Sequence, residues 1–370
     1  MKKLLLLALL LNAVLTHAQS PPWERPLRMA WSSDGKTFDP PTIFQDSSGV
    51  PCMIRWKGDT LICAFQWFRL PQNTPSWDRV AVKFSYDSGL TWTAPTPIVV
   101  NGLPANYQRP FDPTLTVFGG DSLRIYFSSS EGMPTGGLNE IVNCYSAKSH
   151  DGVHFTFEPI ARVDHLSKPL IDPAVIYFNN GWHYTAPVGA PQEGAHHYVS
   201  PDGLNFSPVP SIPSDNQHNW TGNLMLRNET ELRFYGSGPF IWYNASPNGG
   251  QWNGFVNTNV QGGDPSVVQV SANSFLMVFV GKPYASGTED NDFPLIAAKV
   301  FPNPTSNTLH LFSAENLTEY EYAIFNPDGR MLKEGRTSVN YMSVEGLPNG
   351  FYFLKIRSGE KIGFFRFLKN

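Results

Sequence analysis

Apolar and polar positions in the 370-residue chain fall into short runs that pair off. From Asp112-Pro113 the sequence reads DPTLTVFGGDSLRIYFSS: an apolar stretch, a polar turn rich in Gly and Asp, and a second apolar stretch. Asp172-Pro173 opens DPAVIYFNNGWHYTAPVG, and Asp264-Pro265 opens DPSVVQVSANSFLMVFVG, in the same frame. Looser copies start at Val50 (VPCMIRWKGDTLICAFQWF) and Thr221 (TGNLMLRNETELRFYGSG). Runs of this length, bounded by Gly, Asn and Asp, predict five antiparallel strand pairs with starts about 40 to 60 residues apart.

A second repeat lies between the strand pairs. It reads SSDGKTF at Ser32–Phe38, SYDSGLTW at Ser85–Trp92, SHDGVHF at Ser149–Phe155 and SPDGLNF at Ser200–Phe206, with SPNGGQW at Ser246–Trp252. An Asp carboxylate that accepts loop N–H groups, a Gly that permits positive φ and an aromatic plug make a hairpin turn. Each unit thus reads as two inner strands, a third strand, this turn and a fourth strand, which is the blade of a β-propeller. The first turn, near Asp34, has no strand pair before it, and the last pair, from Asp264, has no turn after it. Residues ~25–46 are therefore expected to complete the blade begun by residues ~264–281, closing the ring and removing its open edges. Five blades are expected, with six as the alternative.

Composition agrees: aromatics (14%), 31 Gly and 32 Pro suit many short strands better than long helices. Charge divides the chain. Residues 19–298 carry 16 basic and 24 acidic side chains, whereas residues 299–370 carry 9 and 7. The acidic middle argues against nucleic acid as a partner, since phosphate binding needs a basic stripe. Cys52, Cys63 and Cys144 form no disulfide framework. Cys52 and Cys63 flank the turn Lys57-Gly58-Asp59, and either a cross-strand bridge or two small buried residues fits them.

Both ends speak of export. Lys2, Lys3, the apolar run Leu4–Leu11 and Thr16-His17-Ala18 predict a signal peptide at 1–18, and the mature chain has no further stretch long enough to span a bilayer. Residues 19–290 are assigned to the propeller and 291–299 to a linker. Its Asp290-Asn291-Asp292 suits a solvated loop or a weak calcium ligand. Residues 300–370 show alternating strands split by Asn326-Pro327-Asp328-Gly329 and Pro348-Asn349-Gly350, a small β-sandwich. Their sequence, VFPNPTSNTLHLF through NGFYFLKIRSGEKIGFFRFLKN, closely resembles the C-terminal sorting domain of the type IX secretion system of Bacteroidetes. The resemblance implies passage across the outer membrane, the secretion machinery as partner, a secreted or cell-surface location, and a turn-forming role for Asn303 and Pro304.

The Ser-x-Asp-Gly turns resemble the Asp-box of sialidases and related propellers, whose aspartates build turns on the outer rim. The Asp-Pro aspartates are better placed for chemistry. Asp112, Asp172 and Asp264 each open an innermost strand, at the central funnel where a propeller binds ligands. Five-bladed glycoside hydrolases of the arabinanase and fructosidase kinds are similar in opening their inner strands this way. The resemblance implies a base or nucleophile at Asp112 and a pKa-tuning or sugar-holding carboxyl at Asp172. Their acid, a Glu, is expected on the next blade, where Thr221-Gly222 stands, and Glu193 of GAPQEGAHH is the substitute. Arg109 and Asp264 at the funnel are expected to hold substrate, together with His196, Arg55 and Trp220. Arg55, Arg109 and Arg227 are the arginines available for a sialidase-like carboxylate site. No cofactor or metal is expected. Two functions fit: a glycoside hydrolase using funnel carboxylates, or a non-catalytic glycan-binding or adhesion propeller whose exposed tryptophans meet carbohydrate or glycoconjugate.

Overall fold

The computed structural model describes residues 25–132 apart from 70 and 73, residues 142–282, and, further on, 296, 298–313, 317, 319–326, 330–359 and 361–370. The signal-peptide assignment, Asp290-Asn291-Asp292 and the turn residues Pro327-Asp328-Gly329 lie outside the described residues. The chain divides into two compact units, Met1–Tyr284 and Ala285–Asn370. Among the described residues no helix is long and apolar enough to cross a membrane.

Among the described residues, the first unit is built from five β-sheets. Blade 1 runs Ser48–Lys57, Thr60–Trp67, Arg79–Ser85 and Thr96–Pro97, from inside to outside. Blade 2 runs Phe111–Phe118, Ser122–Ser129, Asn143–Ser149 and His154–Val163, with Val99–Asn101 added in parallel at its outer edge. Blade 3 runs Ala174–Phe178, Gly181–Pro187, Ala195–Ser200 and Ser207–Ile212, and blade 4 runs Asn219–Arg227, Glu231–Ser237, Trp242–Ser246 and Phe255–Asn257. Blade 5 is shared between the two ends. Gly263–Ser271 and Ser274–Val280 form its inner half, and Leu27–Ser32 and Thr42–Gln45 its outer half. The seam pairs Leu27 with Val280 through Ser32 with Phe275, as the unmatched first turn and last strand pair implied.

The innermost strands pack in a closed ring, blade 5 beside blade 1, and one apolar core fills each gap. Ile62, Val82, Ile125 and Phe127 pack between blades 1 and 2, and Leu61, Phe65, Leu276 and Val278 between blades 5 and 1. The turn aromatics Phe38, Trp92, Phe155, Phe206 and Trp252 enter these cores, each facing the preceding blade. Their turns repeat one hydrogen-bond set. Around Asp151, Ser149 Oγ donates to its carboxylate (3.0 Å) while the N–H groups of Val153 and His154 donate to the same oxygen (2.8 and 2.7 Å). Those bonds hold Asp34, Asp87, Asp151 and Asp202 below the ordinary carboxylate range, against the opposing effect of burial.

Cys52 and Cys63 are free and buried. Cys63 pairs with Met53 across the hairpin, so the two thiols belong to opposite faces of blade 1. Cys52 lies in the core toward blade 2 and Cys63 in the core toward blade 5. A bridge between them would require one strand to turn over.

In the second unit one sheet orders Ala298–Phe301, Thr308–Ser313 and Tyr341–Ser343. The other orders Met331–Thr337, Tyr320–Phe325, Gly350–Ser358 and Lys361–Lys369. Leu309, Leu311, Ile324, Leu354, Ile356 and Phe367 form the core. Asn303 ties down the last strand. Its side-chain oxygen accepts from Leu368 N (2.8 Å) and its amide donates to Arg366 O (3.2 Å).

Candidate functional site

Three of the inner strands are entered the same way. In blades 1, 2 and 5 the pairing register slips by one residue just after the strand starts, a β-bulge. Val50, Asp112 and Asp264 occupy the bulges in the left-handed region (φ +47°, +48° and +45°), and Asp172 precedes the blade 3 strand at +49°. A non-Gly residue is uncommon there, Asp being among the better tolerated. The pairing registers make Val50, Asp112, Asp172, Thr221 and Asp264 counterparts, one per blade. The funnel thus carries a ring of one Val, one Thr and three Asp.

Two residues further along each strand stand Cys52, Thr114, Ala174, Asn223 and Ser266, and they make the floor. Thr114 Oγ1 donates to Asn223 Oδ1 (3.3 Å), Asn223 Nδ2 to Pro51 O (2.9 Å), and Met53 N to Ser266 Oγ (2.8 Å). Blade 4 is adjacent to neither blade 1 nor blade 2, so Asn223 bridges the axis. Beyond this bridge, toward the opposite mouth, lies a cavity of about 680 Å³ lined by Met53, Leu115, Val175, Met225 and Val267.

The three carboxyls interact. Asp172 N donates to Asp112 Oδ2 (3.2 Å). Burial pushes the Asp112 carboxyl up to about 7. The Asp172 N–H works against that shift and the neighbouring Asp264 adds to it. Asp172 is driven well above the carboxylate range by burial and by the charges of Asp112 and Asp264. Burial also raises Asp264, but the Thr221 hydroxyl and the positive charge of Arg25 oppose it. The site therefore holds protons near neutrality while one member, Asp264, is the best supported as an anion.

A polar relay joins Asp112 to the rim. Asp112 N donates to Gln66 Oε1 (3.3 Å), Gln66 Nε2 to Asp78 Oδ1 (2.9 Å), and Arg109 Nε to Asp78 O (2.6 Å), with Arg109 also ion-paired to the Asp78 carboxylate. Of the residues singled out in the sequence, Asp112, Asp172 and Asp264 meet in the funnel, and Arg109 reaches it through this relay. Glu193 stands apart. It is exposed on a short 3-10 turn, bonded to Lys168 Nζ (3.0 Å) and Ala190 N (2.8 Å), and those partners keep its carboxyl below the usual range. His196 is buried with its ring 4.7 Å from that of His165, and burial pushes it down to about 4. Arg55 lies at the far end of its strand and donates to Gly58 O and Val270 O, beside the opposite mouth rather than the funnel. Trp220 is fully buried, packed on Phe234, Trp242 and Trp252, and so presents no face to a ligand. Gln66, Asp78, Arg79 and Thr221 belong to the site without having been singled out for it. The signal available for Thr221 was its place in the Asp-Pro frame; the others sit on a strand end and a loop with no motif.

These sheets define a five-bladed β-propeller followed by a β-sandwich. Residues 299–368 of that sandwich match the family described as the secretion system C-terminal sorting domain. The chain carries a type IX sorting tail and is an exported protein, surface-bound or secreted. No curated protein matches it. Among solved structures it is similar to a protein of unknown function from Dyadobacter fermentans (16% identity, 69% of this chain and 84% of that one, TM-score 0.46). Another is a putative exo-β-1,3-galactanase from Bifidobacterium bifidum (12% identity, 66% and 95%, TM-score 0.44). A third is an α-L-arabinofuranosidase from Clostridium thermocellum (14% identity, 80% and 95%, TM-score 0.45).

Proposed function

We propose that the propeller is a carbohydrate-active enzyme that cleaves a glycosidic bond with its funnel carboxyls. The supporting observation is the meeting of buried Asp112 with half-buried Asp172 and Asp264, from three blades, in one funnel, with their proton affinities set apart. Asp112, holding its proton up to about pH 7, is the general acid toward the leaving oxygen. Asp264, steadied as an anion by Thr221 and Arg25, is the base or nucleophile. Asp172, the most strongly protonated, holds Asp112 through its N–H and stands ready to hydrogen-bond a sugar hydroxyl. Glycoside cleavage needs one carboxyl protonated and one ionised, and unequal environments supply that division.

A second reading, glycan binding without cleavage, draws on blade 4. Thr221 occupies the position where a further carboxylate would stand, and Glu193 is engaged by Lys168. One assay separates the two. The mature protein is incubated with aryl glycosides and polysaccharides from about pH 4 to 8. Turnover is expected, falling as pH rises through about 7, with Asp112→Asn and Asp264→Asn each lowering kcat on the order of 10²-fold or more. Glycan binding with no turnover at any pH would leave the binding reading in its place.

A further inference from the structure

The loop that carries Asp78 holds more positive charge than it neutralises. Asp78 sits in the left-handed region (φ +50°), and its carbonyl and carboxylate have one neighbour in common. Arg109 takes both. Arg79 Nη1 donates to Trp77 O (3.2 Å) and Asp78 O (3.3 Å) and, among the described residues, has no carboxylate of its own. One carboxylate therefore serves two neighbouring guanidiniums, bonded to Arg109 and acting on Arg79 only through its charge, and it is itself drawn toward Gln66. Arg79 Nη2 and Nε and Arg109 Nη1 have no hydrogen-bond partner among the described residues. The Arg109 side chain is 40% exposed, and Arg79 is half-buried. Burial and the nearby Arg109 charge both work against the Arg79 cation. This surplus stands out in a unit whose charge is net acidic, and it is three hydrogen-bond steps from Asp112, through Asp78 and Gln66.

Guanidinium is the group of choice for planar, forked recognition of oxyanions, and a pair that lacks a second counter-ion is the arrangement an anionic ligand completes. Trp77, packed against Phe68 with ring centroids 5.6 Å apart, adds an aromatic surface beside the pair. The funnel carboxyls retain protons near neutrality, so they do not repel an acidic sugar as three anions would.

We infer that Arg79 and Arg109 form a subsite for an anionic sugar substituent, a carboxylate or a sulfate ester, next to the funnel, and that the substrate of this protein is an acidic glycan. The inference rests on the carbohydrate-directed reading above. It is tested on the mature full chain with two matched pairs: polygalacturonate against its carboxyl-reduced form, and dextran sulfate against dextran. Binding is read by calorimetry and any cleavage by reducing ends. At least one charged polymer is expected to bind or react more than 10-fold better than its neutral partner, and the pair that responds tells uronate from sulfate. Arg109→Gln is expected to reduce that preference about 10- to 100-fold, the range of hydrogen bonds to charged groups. Arg109→Lys, which keeps charge but loses the fork, should fall between the two. Arg109 is exposed, so this series does not depend on the tolerance of the half-buried Arg79. Equal handling of charged and neutral polymers, or a preference that survives Arg109→Gln and Arg79→Gln together, overturns the inference while leaving the broader reading intact if neutral glycans are still bound or cleaved. Absence of binding and turnover across these and the neutral panel removes both.

Discussion

Gathering three carboxyls in one funnel, with Asp112 buried among them, makes the folded chain pay in a pH-dependent way. Asp112 ionises near 3.8 when unfolded and near 7 when folded. Between those values the folded state holds a proton that the unfolded state has released, so this residue's contribution to stability falls as pH rises from about 4 to 7 and stays low above. Asp112→Asn removes the titration and retains an oxygen for the Asp172 N–H. The variant is expected to be inactive yet more stable than the parent at pH 8, by on the order of 2–4 kcal/mol, with the advantage vanishing near pH 4. Thermal melts of both proteins at the two pH values check this; a variant less stable at pH 8 contradicts it. The Asp-Pro aspartates were legible because each opens a strand in a repeated frame. Arg55 was misplaced because the sequence does not say which mouth of the channel its strand end reaches, and Trp220 because its neighbour Thr221 faces the funnel while it faces the core. Gln66, Asp78 and Arg79 were invisible because their meeting with Asp112 depends on a loop from another blade.

At the scale of elements, the Ser-x-Asp-Gly turn acts as a spacer between blades. Its Gly is left-handed in all five copies, from Gly203 at +72° to Gly89 at +96°. An added Cβ would strike the preceding blade: Tyr235 from Gly35, Leu276 from Gly89, Ile62 from Gly152, Tyr126 from Gly203 and His183 from Gly249. The turn was readable from sequence because donor, acceptor and Gly all lie within a few residues. The degraded fifth copy works because Asn248 Oδ1 still accepts from Gly250 N and Gln251 N (2.9 and 2.8 Å). Two substitutions separate backbone strain from crowding. Gly254→Ala has φ +112° but nothing within 4 Å, and is expected to cost about 1 kcal/mol from conformation alone. Gly152→Ala places a methyl 2.8 Å from Ile62 Cδ1 and 3.1 Å from Phe84, adding about 1–3 kcal/mol of overpacking. Denaturant midpoints with unchanged slopes would show the difference; equal losses would mean that the turn is not a spacer.

At the scale of the whole molecule, the ring closes with the two ends of the propeller segment, and the sorting tail follows that segment in sequence. The count of strand pairs and turns in the sequence implies the closure, since one of each is left over. The sandwich was legible from its ordered turns. The seam pairs six residues of Leu27–Ser32 with Phe275–Val280 and buries Leu27, Leu276, Val278 and Val280 in the core between blades 5 and 1. The last propeller strand ends at Val280, and Gly281 N still bonds to Pro26 O (2.9 Å). A chain stopped after Lys282 therefore retains every described strand of the ring. It is expected to unfold cooperatively at the temperature of the propeller transition in the full chain, to keep its activity, and to remain in the periplasm because the sorting tail is gone. A chain lacking residues 25–46 keeps the tail but leaves blade 5 with two strands, an open edge and exposed Leu276 and Val278. It is expected to be insoluble or protease-sensitive. Cell fractionation followed by limited proteolysis of both chains decides the matter. Cell-surface delivery of the Lys282 chain would contradict the role given to the tail, and a protease-resistant chain without residues 25–46 would contradict the closure.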